Sequence, residues 1–180
     1  MDDPQFDQAV RTFAAARRYR PATVHRWLRL PAADRGALLG LAQELHFSEN
    51  QLRDVWDWAE DIAQRDRLSL AQVLALEAIT AARRRPAGRS DKVKHIKTAL
   101  RRLRFPQLTA VEDRLAVLVR ALALPRNVRV VFPESLEGDE VRVEIVARNA
   151  AALREAAARL QAAVQEPACE AIFELLGEAP

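Results

Sequence analysis

The sequence predicts a mainly helical protein with a small α+β part near its C-terminus: a helix-turn-helix-like bundle followed by an αββα module. The 180 residues are rich in Ala, Leu and Arg and include only five glycines, a composition that favours helices. Apolar residues recur at helical spacing through most of the chain. Only in two short stretches, 128–132 and 141–146, do they alternate as in a half-buried β-strand.

Prolines and capping boxes mark the expected helix starts. Helices are expected to open near Pro4, Pro21 and Pro31, because proline suits the first turn of a helix. The pairs Ser48–Gln51 and Ser69–Gln72 have the spacing of a capping box, in which each side chain satisfies a free backbone N–H.

The second capping box is expected to start a helix that continues towards Arg83. Pro86, Gly88 and Ser90 then interrupt the helical pattern, so a flexible joint is expected there. Ser90 can cap the next helix, which Pro106 is expected to end.

The C-terminal part is expected to follow the order helix, strand, strand, helix. A third capping box, Thr109–Glu112, opens a leucine-rich helix, and Asn149 caps the helix that follows the two strands. A further short helix follows Pro167. The chain is thereby divided into a helical domain (1–85), a basic linker and helix (86–108) and an αββα module (109–180).

Positive charge is concentrated in one short stretch. Residues 83–104 carry ten Lys or Arg against one acidic residue, whereas 1–82 and 105–180 have net charges of −2 and −4. Such a cluster indicates a surface for phosphates, whose affinity comes from counterion release. The candidate contacts are Arg83, Arg84, Arg85, Arg89, Lys92, Lys94, Lys97, Arg101, Arg102 and Arg104. The alternative is a solvated helix face beside a helix end, which is common for charge runs.

Three stretches have the residue spacing of a helix-turn-helix, although none has the usual glycine in its turn. They are Ala14/Arg18/Val24, Ala42/His46/Leu52 and Ala63/Arg67/Val73. The first is preferred, because its second helix would expose Thr23, His25, Arg26 and Arg29 to phosphates and base edges. The second would present acidic residues, which repel DNA. An ordinary helical hairpin is the alternative for each.

The C-terminal module is a candidate for self-pairing. A two-stranded ribbon is marginal in water by itself, and a second copy would bury its edges together with its apolar stripe. The expected dimerisation residues are Val128, Val130, Val141, Val143, Ile145, Leu153 and Leu160. The alternative is a monomeric subdomain packed on the helices.

No sequence pattern indicates an enzyme, a cofactor or a metal site. His25, His46 and His95 lie far apart, and the sequence has neither a phosphate-cradling glycine loop nor a nucleophile elbow. The acidic run within 54–61 is more typical of a solvated helix face than of a metal or acid–base site. Cys169, the single cysteine, is expected to be a buried structural thiol.

The same features predict a cytoplasmic protein. A single cysteine suggests a reducing compartment. The acidic N-terminus does not resemble a signal peptide, and no apolar run approaches the roughly 20 residues that span a bilayer. No membrane partner is expected.

Two parts of the chain resemble ParB-type partition proteins. The stretch from RPATVHRWLRLP, residues 20–31, to Arg67 resembles their central helix-turn-helix region. Residues 109–160, with the strands 128–130 and 141–145 and the capped helix, resemble their C-terminal dimerisation module. The resemblance implies a DNA-binding homodimer that acts in chromosome partition or transcription regulation, in the bacterial cytosol or nucleoid. The family's nucleotide-binding domain lies outside the likeness, so CTP binding is not implied.

These observations lead to one hypothesis and one rival. The hypothesis is a non-enzymatic homodimer that binds duplex DNA through its basic segment and its helix-turn-helix-like region. The rival is a protein-interaction adaptor, whose basic helix meets an acidic partner protein.

Overall fold

The structure, a computed structural model, describes residues 4–133, 136, 138 and 140–177. Within them the chain forms ten helices and one two-stranded antiparallel sheet, which confirms the predicted mainly helical class with a small α+β part. The chain divides into two compact units, Met1–Arg104 (unit 1) and Phe105–Pro180 (unit 2).

Helices alone form the described part of unit 1. They are α1 (Pro4–Ala16), α2 (Pro21–Leu28), α3 (Ala32–Leu45), α4 (Glu49–Asp66), α5 (Leu70–Leu74), α6 (Glu77–Arg84) and α7 (Arg89–Arg104). The apolar stripes of these helices meet in one core, in which Trp27, Phe47 and Trp56 are the largest fully buried side chains. Burial of such large rings supplies much of the hydrophobic driving force for this unit.

Three helix ends in unit 1 share one geometry. Arg18, His46 and Arg67, which the sequence placed at the turns of the three helix-turn-helix registers, have left-handed φ angles of 55°, 49° and 57°. In each case the next residue donates its N–H to the carbonyl five residues back, at 2.9–3.1 Å. This is the bond that closes a Schellman motif. All three registers therefore form real helical corners.

The predicted capping boxes at Ser48 and Ser69 are confirmed, but the helix after the second of them is shorter than predicted. Ser48 and Ser69 each accept the N–H of a glutamine, whose side chain bonds back to the serine N–H. The chain then leaves the helical path at Leu76, which has an extended backbone. The prediction of one helix from Ser69 to Arg83 is therefore wrong. The break lets Leu74 and Ile79 both reach the core.

The basic segment belongs to unit 1 and is not a linker. Val93, Ile96 and Leu100 of α7 are buried in the unit 1 core, and α7 packs against α4 and α6. The predicted boundary at 85/86 is therefore wrong: the two units divide between residues 104 and 105. An apolar stripe shows that a helix is packed, but not which neighbours it packs on.

Unit 2 has the predicted helix, strand, strand, helix order with a further helix at its end. Its elements are α8 (Pro106–Ala121), β1 (Val128–Val131), β2 (Arg142–Ile145), α9 (Ala150–Val164) and α10 (Pro167–Gly177). The strands pair antiparallel, with Val128 opposite Ile145 and Val131 opposite Arg142. Asn149 caps α9 as predicted, accepting the Ala152 N–H at 2.8 Å. The polar loop expected between the strands lies partly outside the described residues.

The start of α8 differs from the prediction. The preceding helix, α7, ends at Arg104, just before Pro106 as predicted, but Pro106 also opens α8, earlier than expected. Thr109 is therefore a buried residue of the first turn of α8 and not a cap. Proline is tolerated there because the first helical N–H groups have no partner within the helix. In the described part of the chain, no helix combines the length and apolar character needed to cross a bilayer.

Candidate nucleic-acid interface

An acidic row on α4 lies against the basic face of α7. Lys97 Nζ is 2.8 Å from Asp54 Oδ2, and Arg104 Nη2 is 2.7 Å from Asp61 Oδ2. The Lys97 ammonium also lies over Trp58, 5.4 Å from the centre of its ring. These charged side chains are 34–48% exposed, so each pair contributes only about 1 kcal/mol or less. The two pairs align α7 along α4 and neutralise the charges of Lys97 and Arg104.

The other half of the acidic row is covered by α2. Two guanidinium nitrogens of Arg26 lie 2.6 Å from Asp57 and 2.5 Å from Glu60, and its Cζ stacks 4.2 Å from the centre of the Trp56 ring. Burial acts to lower the pKa of Arg26, but the hydrogen bonds to both carboxylates outweigh it and the pKa is raised. The four carboxylates Asp54, Asp57, Glu60 and Asp61 are therefore ion-paired with α2 and α7, although they stay 36–48% exposed, as expected for a helix face in contact with water. Among the described residues, no three His, Cys, Asp or Glu are grouped to hold a metal ion.

The first turn of α2 is bonded to a side chain from α4. Glu49 Oε1 accepts the Thr23 hydroxyl at 2.5 Å and the Arg20 N–H at 3.2 Å. The Thr23 bond is the main reason that the pKa of Glu49 is lowered. Arg20, the residue at the N-cap position, makes no side-chain cap of its own. Glu49 accepts the N–H of Arg20 and not one of the helix, so it ties the start of α2 to α4 without replacing the cap.

This packing changes the interpretation of the preferred helix-turn-helix. Thr23 is buried, contrary to the prediction. The Arg26 side chain is 41% exposed, but its guanidinium is already paired with two carboxylates. His25 and Arg29 are exposed as predicted. The spacing located the corner correctly, but it did not show that α4 would cover one side of α2.

The cations of residues 83–104 divide into two groups. Arg83 lies 2.5 Å from Glu44 of α3, so Arg83, Lys97 and Arg104 all have carboxylate partners on other helices. The expectation that the whole segment forms one open surface is wrong for these three residues. Arg101 and Arg102 also have interactions within the chain.

The second group is exposed except for Lys92, which is half-buried, and we call it the open basic surface. It consists of Arg84, Arg85, Arg89, Lys92 and Lys94. Arg84 lies 3.9 Å from Glu77 and Lys94 3.2 Å from Asp91, in pairs whose members are 58–80% exposed. Such pairs are weak and screened by salt. Within the described ranges, Arg85, Arg89 and Lys92 have no carboxylate partner.

The predicted dimerisation residues of unit 2 fall into different environments. Val128 is buried inside the unit and is not available to a second copy. Val130, Val141, Val143 and Leu160 line an apolar groove of about 240 Å³, which we call the unit 2 groove. Cys169 also lines this groove and is only half-buried, not fully buried as predicted. Ile145 is half-buried, whereas Leu153 is 49% exposed.

Exposed apolar side chains are concentrated in unit 2. Among the large hydrophobic residues that the structure describes as exposed, only Phe6 belongs to unit 1, and seven belong to unit 2. Five of these seven were not among the predicted dimerisation residues: Phe105, Val117, Val146, Val164 and Phe173. Val143, Val164 and Phe173 line the unit 2 groove together, and contiguous exposed apolar surface of this kind is typical of an interface with another molecule.

Another residue missed as a candidate contact is His95, which was considered only as a metal ligand. It lies beside Arg102 and Arg85 in a groove between α6 and α7. The signal was present in the sequence: Lys92, His95, Ala99 and Arg102 follow the spacing of one helix face.

Comparisons with known proteins find no relatives. No protein-family model matches the chain, and no curated protein and no solved structure matches it either. The resemblance to ParB-type proteins therefore stays a prediction.

Proposed function

We propose that the protein is a non-enzymatic DNA-binding homodimer. Unit 1 holds the phosphate backbone of duplex DNA on its open basic surface, and unit 2 joins two chains. A role in chromosome partition or transcription regulation would place it in the bacterial cytosol or nucleoid.

The observation that carries this proposal is the uneven neutralisation of the basic segment. Arg83, Lys97 and Arg104 are paired with carboxylates of other helices. Residues 84–94 keep five cations, four of them exposed and one half-buried, and one acidic residue, Asp91. Within the described part of the chain, the only carboxylates near these five cations belong to the same helix and form weak, exposed pairs with Arg84 and Lys94. Phosphates are the complementary partner, and contacts of this kind set affinity without reading sequence.

The helical corners supply the remaining support. Helix-turn-helix corners place the second helix at an angle that can enter the major groove. On α2, His25 and Arg29 stay exposed, so they are the remaining candidates for contacts to base edges. Thr23 and Arg26 hold α2 in place instead.

Dimerisation would strengthen weak contacts with DNA. Once one chain is bound, the second binds at a high effective concentration, so two modest affinities combine into a strong one. The exposed apolar residues of unit 2 and the unit 2 groove support dimerisation through this unit.

Salt-dependent binding to mixed-sequence duplex tests the proposal. Wild type is expected to bind at low salt, with log affinity falling linearly as log salt rises. The double variant R89Q/K92Q removes two cations of the open basic surface and should lower the slope by about two, because each phosphate contact contributes about 0.9.

The matched control is R83Q/K97Q, which removes the same charge from the same segment at residues paired with Glu44 and Asp54. It should lose some stability but keep the wild-type salt slope. If the salt slope falls equally in both double variants, binding depends only on net charge and not on the open basic surface. Absence of wild-type binding at low salt would refute the proposal.

The adaptor hypothesis retains one specific observation. Arg83, Lys97 and Arg104 each bind a carboxylate within the chain, so cations of this segment do suit acidic side chains. Competition separates the two functions. Bound DNA is challenged with poly-glutamate or with unlabelled duplex of equal total charge. If poly-glutamate displaces the DNA equally well, an acidic protein partner is favoured.

A further inference from the structure

The strand β2 has one edge that no strand of the described chain covers. The described sheet of unit 2 consists of β1 and β2, so each strand pairs along one side only. Three of the four residues of β2 are exposed, whereas β1 starts at the buried Val128, whose N–H is bound to the Pro125 carbonyl at 2.9 Å. An open strand edge presents unpaired N–H and C=O groups and is a template for a further strand.

The hydrogen bonds to β1 show which residues of β2 point to the open edge. Just after β2, Val146 donates its N–H to the Asn127 carbonyl at 2.9 Å. Every second residue of an antiparallel strand makes such bonds, so Arg142 and Glu144 also direct theirs towards β1. By the same alternation, the N–H and C=O of Val143 point to the open edge.

The charges of β2 suit pairing with a second copy of the same strand. Arg142 and Glu144 lie on one face of β2, with Arg142 Nη2 3.1 Å from Glu144 Oε1. If two β2 strands pair antiparallel about a two-fold axis at Val143, Arg142 of each copy lies opposite Glu144 of the other. These are non-hydrogen-bonded positions, at which opposed side chains come closest.

Other registers of the same pairing bring like charges together. With the axis one residue earlier or later, Arg142 would lie opposite its own copy, or Glu144 would. Like charges directly opposite each other destabilise a sheet. The strand β1 lacks such complementarity, because Arg129 is its single charged residue. Charge therefore favours β2 over β1 and the axis at Val143 over its neighbours.

The other face of β2 is apolar. Successive side chains of a strand alternate between its faces, so Val143 lies on the face opposite the two charges. It lines the unit 2 groove and is 37% exposed in a single chain. With the axis at this residue, Val143 contacts its own copy, and the grooves of the two chains become continuous.

We infer that two chains join through β2, which pairs antiparallel with β2 of a second copy about a two-fold axis at Val143. The two sheets become one sheet of four strands, with the two β2 strands at its centre. Main-chain hydrogen bonds at Val143 and two inter-chain Arg142–Glu144 pairs set the register. This inference rests on the proposed function, which requires a homodimer through unit 2 but does not specify the interface.

Mixing two charge variants of the full chain tests the pairing. R142E makes both inter-chain pairs acidic and E144R makes both basic, so each variant alone should raise the dimer dissociation constant about tenfold. An equimolar mixture restores opposite charges in both pairs and should recover most of the lost affinity as heterodimers. Sedimentation measures all three. R114E makes the same charge change at an exposed position of α8, outside the sheet, and should sediment as wild type does.

Disulfide formation reports the register. Cys169 is the single cysteine, so C169A provides a background without thiols. In that background V143C lies opposite its own copy, at the roughly 5.5 Å between Cα atoms of a hydrogen-bonded pair, and should form an inter-chain disulfide under mild oxidation. I145C is the matched control, because about 13 Å along the strands separates this position from its copy, too far for a disulfide.

The outcomes separate this interface from the proposed function. If wild type is a dimer, but mixing restores no affinity and V143C forms no more disulfide than I145C, the β2 interface is overturned and the proposed homodimer stands. If wild type stays monomeric at micromolar concentration, the dimeric part of the proposed function fails and the β2 interface fails with it. Binding of duplex DNA is measured independently, by the salt titration of wild type.

Discussion

At the scale of single residues, Tyr19 shows how a corner of unit 1 is locked. Its hydroxyl donates to the Phe47 carbonyl at 2.7 Å, and its ring meets Phe13 edge-on at 5.9 Å. Tyr19 follows Arg18, and Phe47 follows His46, so the bond ties one helical corner to another. Burial raises the pKa of Tyr19 to about 12.

The alkaline titration of Tyr19 is the first prediction. Because the folded pKa lies above the ordinary value of 10.0, the neutral hydroxyl stabilises the fold fully below pH 10.0, and this stabilisation is lost as pH rises towards 12. Tyr19 is the only tyrosine, so tyrosinate absorbance reports it alone. The signal at pH 11 should be small in native protein and full in urea. Equal signals in both would show that the hydroxyl is not buried.

The sequence could not predict which charged side chains would be covered. Arg35 is 3% exposed, pairs with Asp7 and donates to the Leu28 carbonyl at 3.2 Å. Nothing in its local sequence separates it from the exposed Arg29, because the partner lies 28 residues away. The same holds for Arg26 and Lys97. Residue type and spacing predicted the cationic segment correctly. Ion pairs between residues so far apart in sequence could not be predicted, because they depend on how the helices pack.

At the scale of elements, local signals predicted most helix starts. Ser48, Ser69 and Asn149 were identified correctly as caps, because each bond involves residues only three positions apart. The break at Leu76 was not predicted, because it depends on the core that Leu74 and Ile79 share. The strands were predicted because their period of two differs from that of every helix around them.

The three left-handed corners give the second prediction. Arg67 has φ 57°, a conformation that costs an L-residue roughly 1–2 kcal/mol and costs glycine little. R67G should stabilise unit 1 by about 0.5 kcal/mol, after the extra freedom of glycine in the unfolded chain is deducted. The measurement is urea unfolding followed by tryptophan fluorescence.

The same substitution inside a helix is the control. Arg53 is an exposed residue within α4, where glycine is about 1 kcal/mol less favourable than a good helix former. R53G should therefore destabilise the unit while R67G stabilises it. A loss of stability in R67G would contradict the corner geometry.

At the scale of the whole molecule, the two units have different surfaces. Unit 1 buries its large apolar side chains and exposes charge, whereas unit 2 leaves apolar residues in contact with water. Such an asymmetry is expected where one unit meets a polyanion and the other meets a protein surface. The composition of the whole chain conceals it, because the net charge is only +3.

Self-association through unit 2 gives the third prediction. Wild type should sediment as a dimer at micromolar concentration. V143E places a charge in the unit 2 groove of both chains, so the dissociation constant should rise at least a hundredfold, because each copy loses the burial of a valine. A116E is the control, since Ala116 is an exposed small residue of α8 that does not line that groove. A monomeric wild type would contradict the prediction.

The carboxylates along α4 have a consequence for how strongly any external polyanion can be held. They present a row of negative charges, and the cations of α2 and α7 bind to it as they would bind to phosphates. A phosphate that binds Lys97 or Arg104 must compete with the carboxylate of Asp54 or Asp61. The binding free energy gained there is the difference between two similar ion pairs. Most of the affinity must therefore come from cations that have no carboxylate partner on another helix.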